Sequence, residues 1–157
     1  IGAHSSGIIG EQYNQPPSNI FPLLLKVARG DMATFNIFGN NYATKDGTGI
    51  RDYIHVSDLA DGHINALNLI LEKKCFNTLN LGTGRGCSVL ELIQKFENAT
   101  SKEIPYVFKR RRKGDVESAY ADASSAQNIL GWNAVRTIDE ACKDAWAWSE
   151  KELKPIN

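Results

Sequence analysis

The densest cluster of charge in the chain is a run of five basic residues, residues 109–113, which Asp115 follows after one glycine. Three interpretations fit this run: a solvated surface, a patch for RNA or nuclear import, and a clamp for phosphate groups. The carboxylate favours a clamp over a nucleic-acid patch, because a nucleotide-sugar site uses a guanidinium for diphosphate and a carboxylate for a ribose hydroxyl. On the residues alone, the clamp and the plain surface remain equally open.

A second candidate site is the segment 47–56, in which a glycine-containing turn precedes Arg51 on a short β-rich stretch. Alternation along a strand places Arg51, Tyr53 and His55 on one side, where Arg51 can reach a phosphate. His55 lies between two aspartates in the sequence, which makes it a candidate general base. A histidine held by hydrogen bonds for structural reasons is the more common outcome.

A glycine-rich turn, Gly-Thr-Gly-Arg-Gly at residues 82–86, lies between a predicted strand and a predicted helix. That position suggests a dinucleotide or phosphate site. However, the third glycine stands at the wrong offset, no Lys-Ser/Thr pair follows, and no acidic residue ends a next strand about 20 residues later. A structural turn is therefore favoured. The chain also contains neither a Tyr-x-x-x-Lys pattern nor the spacing of a metal site.

The composition narrows the class of protein. The 157 residues, 42% of them hydrophobic, suit one globular domain. Equal numbers of basic and acidic residues, 18 of each, argue against a globally cationic nucleic-acid binder. The sequence has no apolar run of the length that a membrane span needs.

Three widely spaced cysteines predict a reducing, cytoplasmic compartment. The start at Ile1, without a signal segment, suggests a piece of a longer protein.

Strands and helices alternate in the predicted order, which is typical of the α/β class. Helix 19–29 is predicted to be capped by Ser18, and helix 58–73 by Ser57. Two capping boxes, Ser88-x-x-Glu91 and Thr137-x-x-Glu140, predict further helix starts, the last helix running to about residue 153. The remaining predicted elements are strands 34–38, 51–56, 76–81 and 106–108 and a helix over 122–130.

In this order, the segments resemble the C-terminal part of the nucleotide-sugar epimerases of the extended short-chain dehydrogenase/reductase family. The resemblance is carried by residues 37–40, 47–56, 58–63, 80–84, 111–115, 120–122 and 130–132 and extends over nearly the whole chain. It implies an α/β substrate-binding lobe over residues 1–157, without the Rossmann half that binds NAD and carries the catalytic tyrosine and lysine. The absence of a Tyr-x-x-x-Lys pattern agrees with that expectation.

The resemblance also implies contacts to the UDP part of a UDP-sugar. It assigns the diphosphate to Arg51 and Arg112, and the ribose to Asp115. Residues 19–20 are expected at the diphosphate and nucleotide, and residues 36–38 at the uracil. The complete set implied for UDP is Asn19, Ile20, Asn36, Ile37, Phe38, Arg51, Arg112 and Asp115. No catalytic, cofactor-binding or metal-ligating residue is expected in this chain.

The implied activity is inversion at carbon 4 of the hexose, which interconverts UDP-glucose and UDP-galactose: NAD takes a hydride from carbon 4 and returns it to the other face of the 4-keto sugar. Ala119 stands where the family has a residue of variable size beside the sugar. A small residue there implies room for a 2-acetamido group, as in UDP-GlcNAc and UDP-GalNAc. The complete protein is expected to be a homodimer, with no nucleic-acid or membrane partner. The isolated chain is expected to be inactive.

Three alternatives remain open. The first is another nucleotide-sugar enzyme of the same family: a dehydratase, a decarboxylase or a uronate epimerase. The second is a non-catalytic UDP-sugar-binding module, which needs no tyrosine base. The third, an RNA-binding domain that uses residues 109–113, is the least favoured, because the neighbouring aromatic residues lie in strand-like segments.

Overall fold

The structure is a computed structural model that describes residues 1–12, 16–74 and 76–152. Within these residues the chain forms five α-helices and five short β-strands, and the predicted α/β class is confirmed. The helices are α1 Ile20–Ala28, α2 Val56–Lys73, α3 Val89–Thr100, α4 Ser124–Leu130 and α5 Ile138–Glu152. The strands are β1 Phe35–Phe38, β2 Ile50–Arg51, β3 Cys87–Ser88, β4 Tyr106–Lys109 and β5 Ser118–Ala119.

The strands form two small sheets. In the first, β1 pairs with β4 in parallel, which sets Phe38 opposite Lys109. In the second, β2 lies between β3 and β5, antiparallel to β3 and parallel to β5, so that Arg51 is opposite both Cys87 and Ala119. The connection from β4 to β5, residues 110–117, therefore passes from the first sheet to the second. It carries most of the basic run across the gap between Phe38 and Arg51.

The hydrophobic core is built mainly by α1, α3 and α5. Leu24, Leu92 and Phe96 are fully buried in it, and the rings of Phe21 and Phe96 meet edge to face with centroids 6.2 Å apart. Burial of such side chains contributes about 1.5–3 kcal/mol each. This core includes Phe35 and Ile37 of β1 and Cys87 of β3, whereas β4, β5 and the residues of the basic run are exposed.

Two helix starts agree with the capping boxes in the sequence. The Ser88 hydroxyl accepts the backbone N–H of Glu91 at 3.1 Å and so caps α3. At the start of α5, the backbone N–H of Glu140 donates to the Thr137 hydroxyl at 3.2 Å, and the Glu140 carboxylate accepts the backbone N–H of Thr137 at 2.6 Å. Such reciprocal bonds satisfy N–H groups that have no partner within the helix. The predicted end of this helix at residue 153 lies outside the described residues.

Two predicted caps are wrong. The N-cap of α1 is Asn19 rather than Ser18, and its side chain makes no capping hydrogen bond. The N-cap of α2 is His55, whose Nδ1 accepts the backbone N–H of Ser57 at 3.0 Å, so Ser57 lies inside the first turn. The strand predicted over 51–56 is shorter and lies at Ile50–Arg51, because residues 52–54 pair with no strand among the described residues and His55 already caps α2. The helix predicted from residue 122 begins at Ser124.

The strand predicted over residues 76–81 is absent from the structure. None of these residues pairs with another strand in the described part of the chain, and a strand needs a partner for its backbone groups. Phe76 is 92% exposed. One face of the preceding helix, α2, is apolar and exposed as well, with Leu67 and Leu71 on it. No helix among the described residues has both the length and the apolar character required to cross a bilayer.

Candidate functional site

A cleft lies between β1, β2 and the connection from β4 to β5; we call it the inner cleft. All the predicted UDP-binding residues except Asn19 line it. The residues that form its walls are Ser18, Ile20, Leu23, Phe35, Asn36, Ile37, Phe38, Tyr42, Gly49, Arg51, Val89, Arg112 and Asp115. The fold therefore brings together five segments of the sequence, at residues 18–23, 35–42, 49–51, 89 and 112–115.

One wall of the inner cleft is the strand β1. Its side chains alternate, so Phe35 and Ile37 are buried in the core while Asn36 and Phe38 are more exposed on the opposite face. The strand therefore offers the cleft one amide and one aromatic ring. An aromatic face beside polar groups is a suitable surface for a flat base such as uracil.

Arg112 lies against this ring. The guanidinium carbon of Arg112 is 3.8 Å from the centroid of Phe38. A guanidinium stacked on a ring face is attracted by the electrons of the ring, and its N–H groups remain free at its edge. The stacking therefore holds the cation in one orientation and leaves its donors available for a phosphate.

The second cation of the inner cleft is Arg51, at the end of β2. One of its terminal nitrogens donates to the carbonyl of Ile50 at 2.7 Å, and the other is 3.9 Å from a carboxylate oxygen of Asp115. Gly49 lies beside it: a Cβ at that position would be 3.3 Å from Arg51 Nη1. The long distance to Asp115 leaves both charged groups with unused hydrogen-bonding capacity. Two guanidinium groups and one carboxylate thus face the same cleft.

The loop before Arg51 is fixed by Asp46. Its carboxylate accepts the backbone N–H of Thr48 at 2.9 Å, the Thr48 hydroxyl at 2.7 Å and the hydroxyl of Ser88. Burial alone would raise the pKa of Asp46, but these hydrogen bonds lower it below its usual value. Since Ser88 also caps α3, Asp46 ties the loop that leads to Arg51 to the start of that helix.

The glycine turn at residues 82–86 is held by Asp52, the residue after Arg51. The Asp52 carboxylate accepts the backbone N–H groups of Thr83, Gly84 and Ala121 at 3.0–3.2 Å and the Thr83 hydroxyl at 2.6 Å. The N–H groups that a phosphate would need at Thr83 and Gly84 are thus occupied. The turn serves the fold, as the sequence favoured, and does not suit the pyrophosphate of NAD.

The structure favours the structural interpretation of His55 over that of a general base. Its ring is only 1% exposed and does not line the inner cleft. The Nε2 atom lies 3.3 Å from a carboxylate oxygen of Asp144, while Nδ1 accepts the N–H of Ser57. With Nδ1 as an acceptor, Nε2 carries the proton and donates to Asp144. Burial lowers the pKa of His55, so the neutral ring is favoured.

Two predicted contacts lie outside the walls of the inner cleft. Asn19 is the exposed N-cap of α1, between the lining residues Ser18 and Ile20. Ala119 is exposed on β5, paired with Arg51 across the sheet. It therefore neighbours the cleft through Arg51 rather than forming part of its wall.

Sequence reasoning missed Tyr42. Its ring lines the inner cleft and lies 3.8 Å from the guanidinium carbon of Arg111. Its hydroxyl is buried and has no hydrogen-bond partner among the described residues. A tyrosine after a Gly-Asn-Asn turn carries no local signal for this position, because a residue of the distant basic run places its ring.

The chain belongs to the extended short-chain dehydrogenase/reductase family, and its α/β fold matches the C-terminal part of that family's epimerases. The family model described as GDP-mannose 4,6 dehydratase matches residues 3–145. Among curated proteins, UDP-glucose 4-epimerase of Bacillus subtilis is 48% identical over 153 residues, which are 98% of this chain and 45% of that protein. The chain thus spans less than half the length of this relative.

Solved structures of UDP-glucose 4-epimerases support the same family assignment. UDP-glucose 4-epimerase from Stenotrophomonas maltophila, with bound NAD and formylated UDP-arabinopyranose, superposes with a TM-score of 0.94 at 45% identity. The match covers 97% of this chain and 45% of that one. The epimerase from Bifidobacterium longum, in complex with NAD+ and UDP, gives a TM-score of 0.87 at 44% identity, covering 96% and 45% of the two chains. The resemblance to the C-terminal part of UDP-glucose 4-epimerases is confirmed.

Proposed function

We propose that this chain binds the UDP part of a UDP-sugar in the inner cleft and is the substrate-binding part of a UDP-glucose 4-epimerase. The observation that carries the proposal is the convergence of Arg51 and Arg112, from distant segments, on a cleft that also contains Phe38 and Asp115. The two guanidinium groups hold the diphosphate, because each offers several donors in a fixed plane. Asp115 accepts a ribose hydroxyl, and residues 36–38 receive the uracil.

In the complete enzyme, NAD supplies the hydride transfer that inverts carbon 4. The glycine turn of this chain does not fit that cofactor, because Asp52 occupies its N–H groups. We therefore assign NAD and the catalytic base to another part of the protein. The task of this chain is to hold the UDP handle in place while the sugar reacts. The isolated chain is expected to show no epimerase activity, and turnover by these 157 residues alone would contradict the assignment.

An exposed apolar surface supports the proposal of a second, NAD-binding part. Ile64, Leu67 and Ile70 lie on one side of α2, and each is at least half exposed, while Phe76 follows the helix almost fully exposed. Apolar surface of this extent usually marks an interaction site. We propose that the NAD-binding part covers it. We also propose that the complete protein is a homodimer.

Ligand titration tests the binding proposal. Isothermal calorimetry should detect binding of UDP, and weaker binding of uridine, which lacks the phosphates. Arg51→Gln and Arg112→Gln should each weaken UDP binding by about ten-fold or more, from ~1.5–3 kcal/mol per charged hydrogen bond, and should leave uridine binding nearly unchanged. Arg85→Gln is the matched control, because Arg85 lies on the glycine turn outside the inner cleft. A larger loss for Arg85→Gln would place the phosphates at the turn instead.

Product analysis separates the epimerase from its relatives. The complete protein that contains this chain should convert UDP-galactose to UDP-glucose. A dehydrated or decarboxylated product, or turnover of a UDP-uronate alone, would identify another enzyme of the family. UDP binding without turnover by the complete protein would favour the non-catalytic module.

Ala119 carries a finer proposal about the sugar. Ala119 has a small side chain and pairs with Arg51 across the sheet. We propose that the sugar lies beside Ala119 and that a 2-acetamido group fits there. The complete protein should therefore also interconvert UDP-GlcNAc and UDP-GalNAc. Ala119→Tyr should abolish that reaction and spare the one with UDP-galactose, whereas Ala119→Ser should retain both. Equal survival of both activities in Ala119→Tyr would exclude Ala119 as the gate.

A further inference from the structure

The basic run extends beyond the inner cleft into a second, open cleft. This second cleft is lined by Gly39, Asn40, Asn41 and residues 109–113, and its lining contains no carboxylate. We call it the outer groove. Arg112, whose guanidinium stacks on Phe38, belongs to the linings of both clefts, so the outer groove lies next to the inner cleft.

One arginine fixes the basic run to the rest of the fold. The Arg111 guanidinium stacks on Tyr42, its Nε donates to the side-chain oxygen of Asn41 at 2.7 Å, and its Nη2 donates to the Asn41 carbonyl. The run also starts from a paired strand, since Gly39 donates its N–H to the carbonyl of Lys109 at 2.9 Å. The charges of the outer groove are therefore held beside the inner cleft by a defined backbone.

The other cations of the groove are not neutralised. Lys109, Arg110 and Lys113 are exposed, and none of them forms an ion pair with an acidic residue in the described ranges of the chain. The nearest carboxylate in the sequence, Asp115, faces Arg51. The net charge of the whole chain is zero, so this groove is a local concentration of positive charge and not part of a general excess.

We propose that Lys109, Arg110 and Lys113 attract a nucleoside diphosphate to the inner cleft through the outer groove, without contacting it in the bound state. This inference rests on the proposed UDP-binding function. A groove of unpaired cations beside a binding cleft raises the local concentration of an anionic ligand. Its effect reaches over distance and is screened by salt, whereas a direct contact such as that of Arg112 is screened much less.

The size of the effect follows from Coulomb's law. For a cation about 10 Å from a doubly charged diphosphate in water, the attraction at ~0.01 M salt amounts to roughly a three-fold gain in affinity per charge. At ~1 M salt the Debye length is about 3 Å and the gain disappears. Removing two such charges should therefore weaken binding about seven-fold at low salt, and hardly at all at high salt.

The test compares two double variants by calorimetric titration with UDP at low and high salt. Arg110→Gln/Lys113→Gln should weaken UDP binding about seven-fold at low salt and leave it unchanged at high salt. Uridine, which carries no charge, should bind equally well to the variant at either salt concentration. The control, Lys73→Gln/Lys143→Gln, removes the same charge from exposed positions on α2 and α5 and should have a much smaller effect.

Each other outcome overturns the inference in a recognisable way. Equal losses in the two double variants would mean that only net charge matters. A loss that persists at high salt would make Arg110 or Lys113 a direct contact. Unchanged UDP binding together with weakened binding of a single-stranded RNA oligonucleotide would assign the groove to RNA. If the wild-type chain binds UDP and shows no salt dependence, only this inference fails; if it binds no UDP, the proposed function fails with it.

Discussion

Asp58 and Asp61, two aspartates on α2, test most sharply whether burial of a carboxylate decides how much it stabilises the fold. Asp58 is 1% exposed; its carboxylate accepts the backbone N–H groups of Val135 and Arg136 at 3.1 and 2.8 Å, and Arg136 Nη1 at 2.5 Å. Asp61, one turn later, accepts the same Nη1 at 2.8 Å, but its side chain is 53% exposed. The two residues share a helix and a partner and differ in burial.

Asp58→Ala should be far more destabilising than Asp61→Ala. Removal of one member of a buried ion pair costs about 3–5 kcal/mol. Arg136 remains 35% exposed and can be rehydrated, so we expect a loss of about 3 kcal/mol, mainly from the two N–H groups left without an acceptor. Asp61→Ala removes a surface ion pair, worth roughly 0–1 kcal/mol. Urea denaturation followed by circular dichroism measures both changes in the free energy of unfolding.

Equal losses in the two variants would refute this reasoning, because they would show that burial of the carboxylate does not decide the energy. Asp58→Asn refines the test, since it keeps one oxygen acceptor and removes the charge. Its loss should fall between those of Asp61→Ala and Asp58→Ala. A loss as large as that of Asp58→Ala would assign the stabilisation to the charge rather than to the accepted N–H groups.

Three further predictions concern stability and reactivity. Burial lowers the pKa of His55 in the folded chain, so the unfolded chain takes up the proton at a higher pH than the folded chain does. The free energy of unfolding should therefore fall as the pH drops below ~6.5, and urea titrations should show a flatter pH profile for His55→Gln. Burial raises the pKa of Cys87 and Cys142 to about 12, so neither thiol should react with an alkylating reagent at neutral pH until urea unfolds the chain. Mass spectrometry measures the alkylation, and rapid alkylation of the folded chain would contradict this prediction. Ser88→Ala should lower the free energy of unfolding by about 1–2 kcal/mol in urea denaturation, against little change for the exposed Ser125→Ala.

Several elements that depend on local interactions were predictable from the sequence, although the caps predicted at Ser18 and Ser57 were wrong. The starts of α3 and α5 follow from Ser88 and Thr137, since a capping residue and its N–H partner lie within one turn of each other. The ends of α1 and α4 follow from glycines at 30 and 131, both of which adopt positive φ values. In these cases the residues that fix the structure are neighbours in the chain.

Elements that depend on distant partners were not predictable. The extended pattern of residues 76–81 reads as a strand, but no strand in the described ranges pairs with it. The two-residue strands β3 and β5 are too short for any periodic pattern, and they form because Arg51 pairs with both. A structural role was the favoured interpretation of His55, but the sequence could not name the partner of its Nε2, which is the distant Asp144.

The residues of the inner cleft also differ in whether the sequence alone could predict their place. The residues alone suggested Arg51 and a clamp made of the basic run and Asp115, and the family resemblance singled out Arg112 within that run. The fold places Arg51, Arg112 and Asp115 on one cleft. Spacing alone could not pair Arg51 with Arg112, because the two sheets bring them together. Ala119 could not be placed outside the wall of the cleft without knowing that β5 pairs with β2, and Tyr42 could not be found without the contact to Arg111.

The most direct test of the central claim is an NMR titration of the isotope-labelled chain with UDP. If UDP occupies the inner cleft, backbone amide shifts should move at residues 36–38, 49–51 and 112–115, and those of the glycine turn at residues 82–86 should stay in place. Saturable shifts centred on residues 82–86, with residues 36–38 and 112–115 unmoved, would contradict the claim and place the phosphates at the glycine turn.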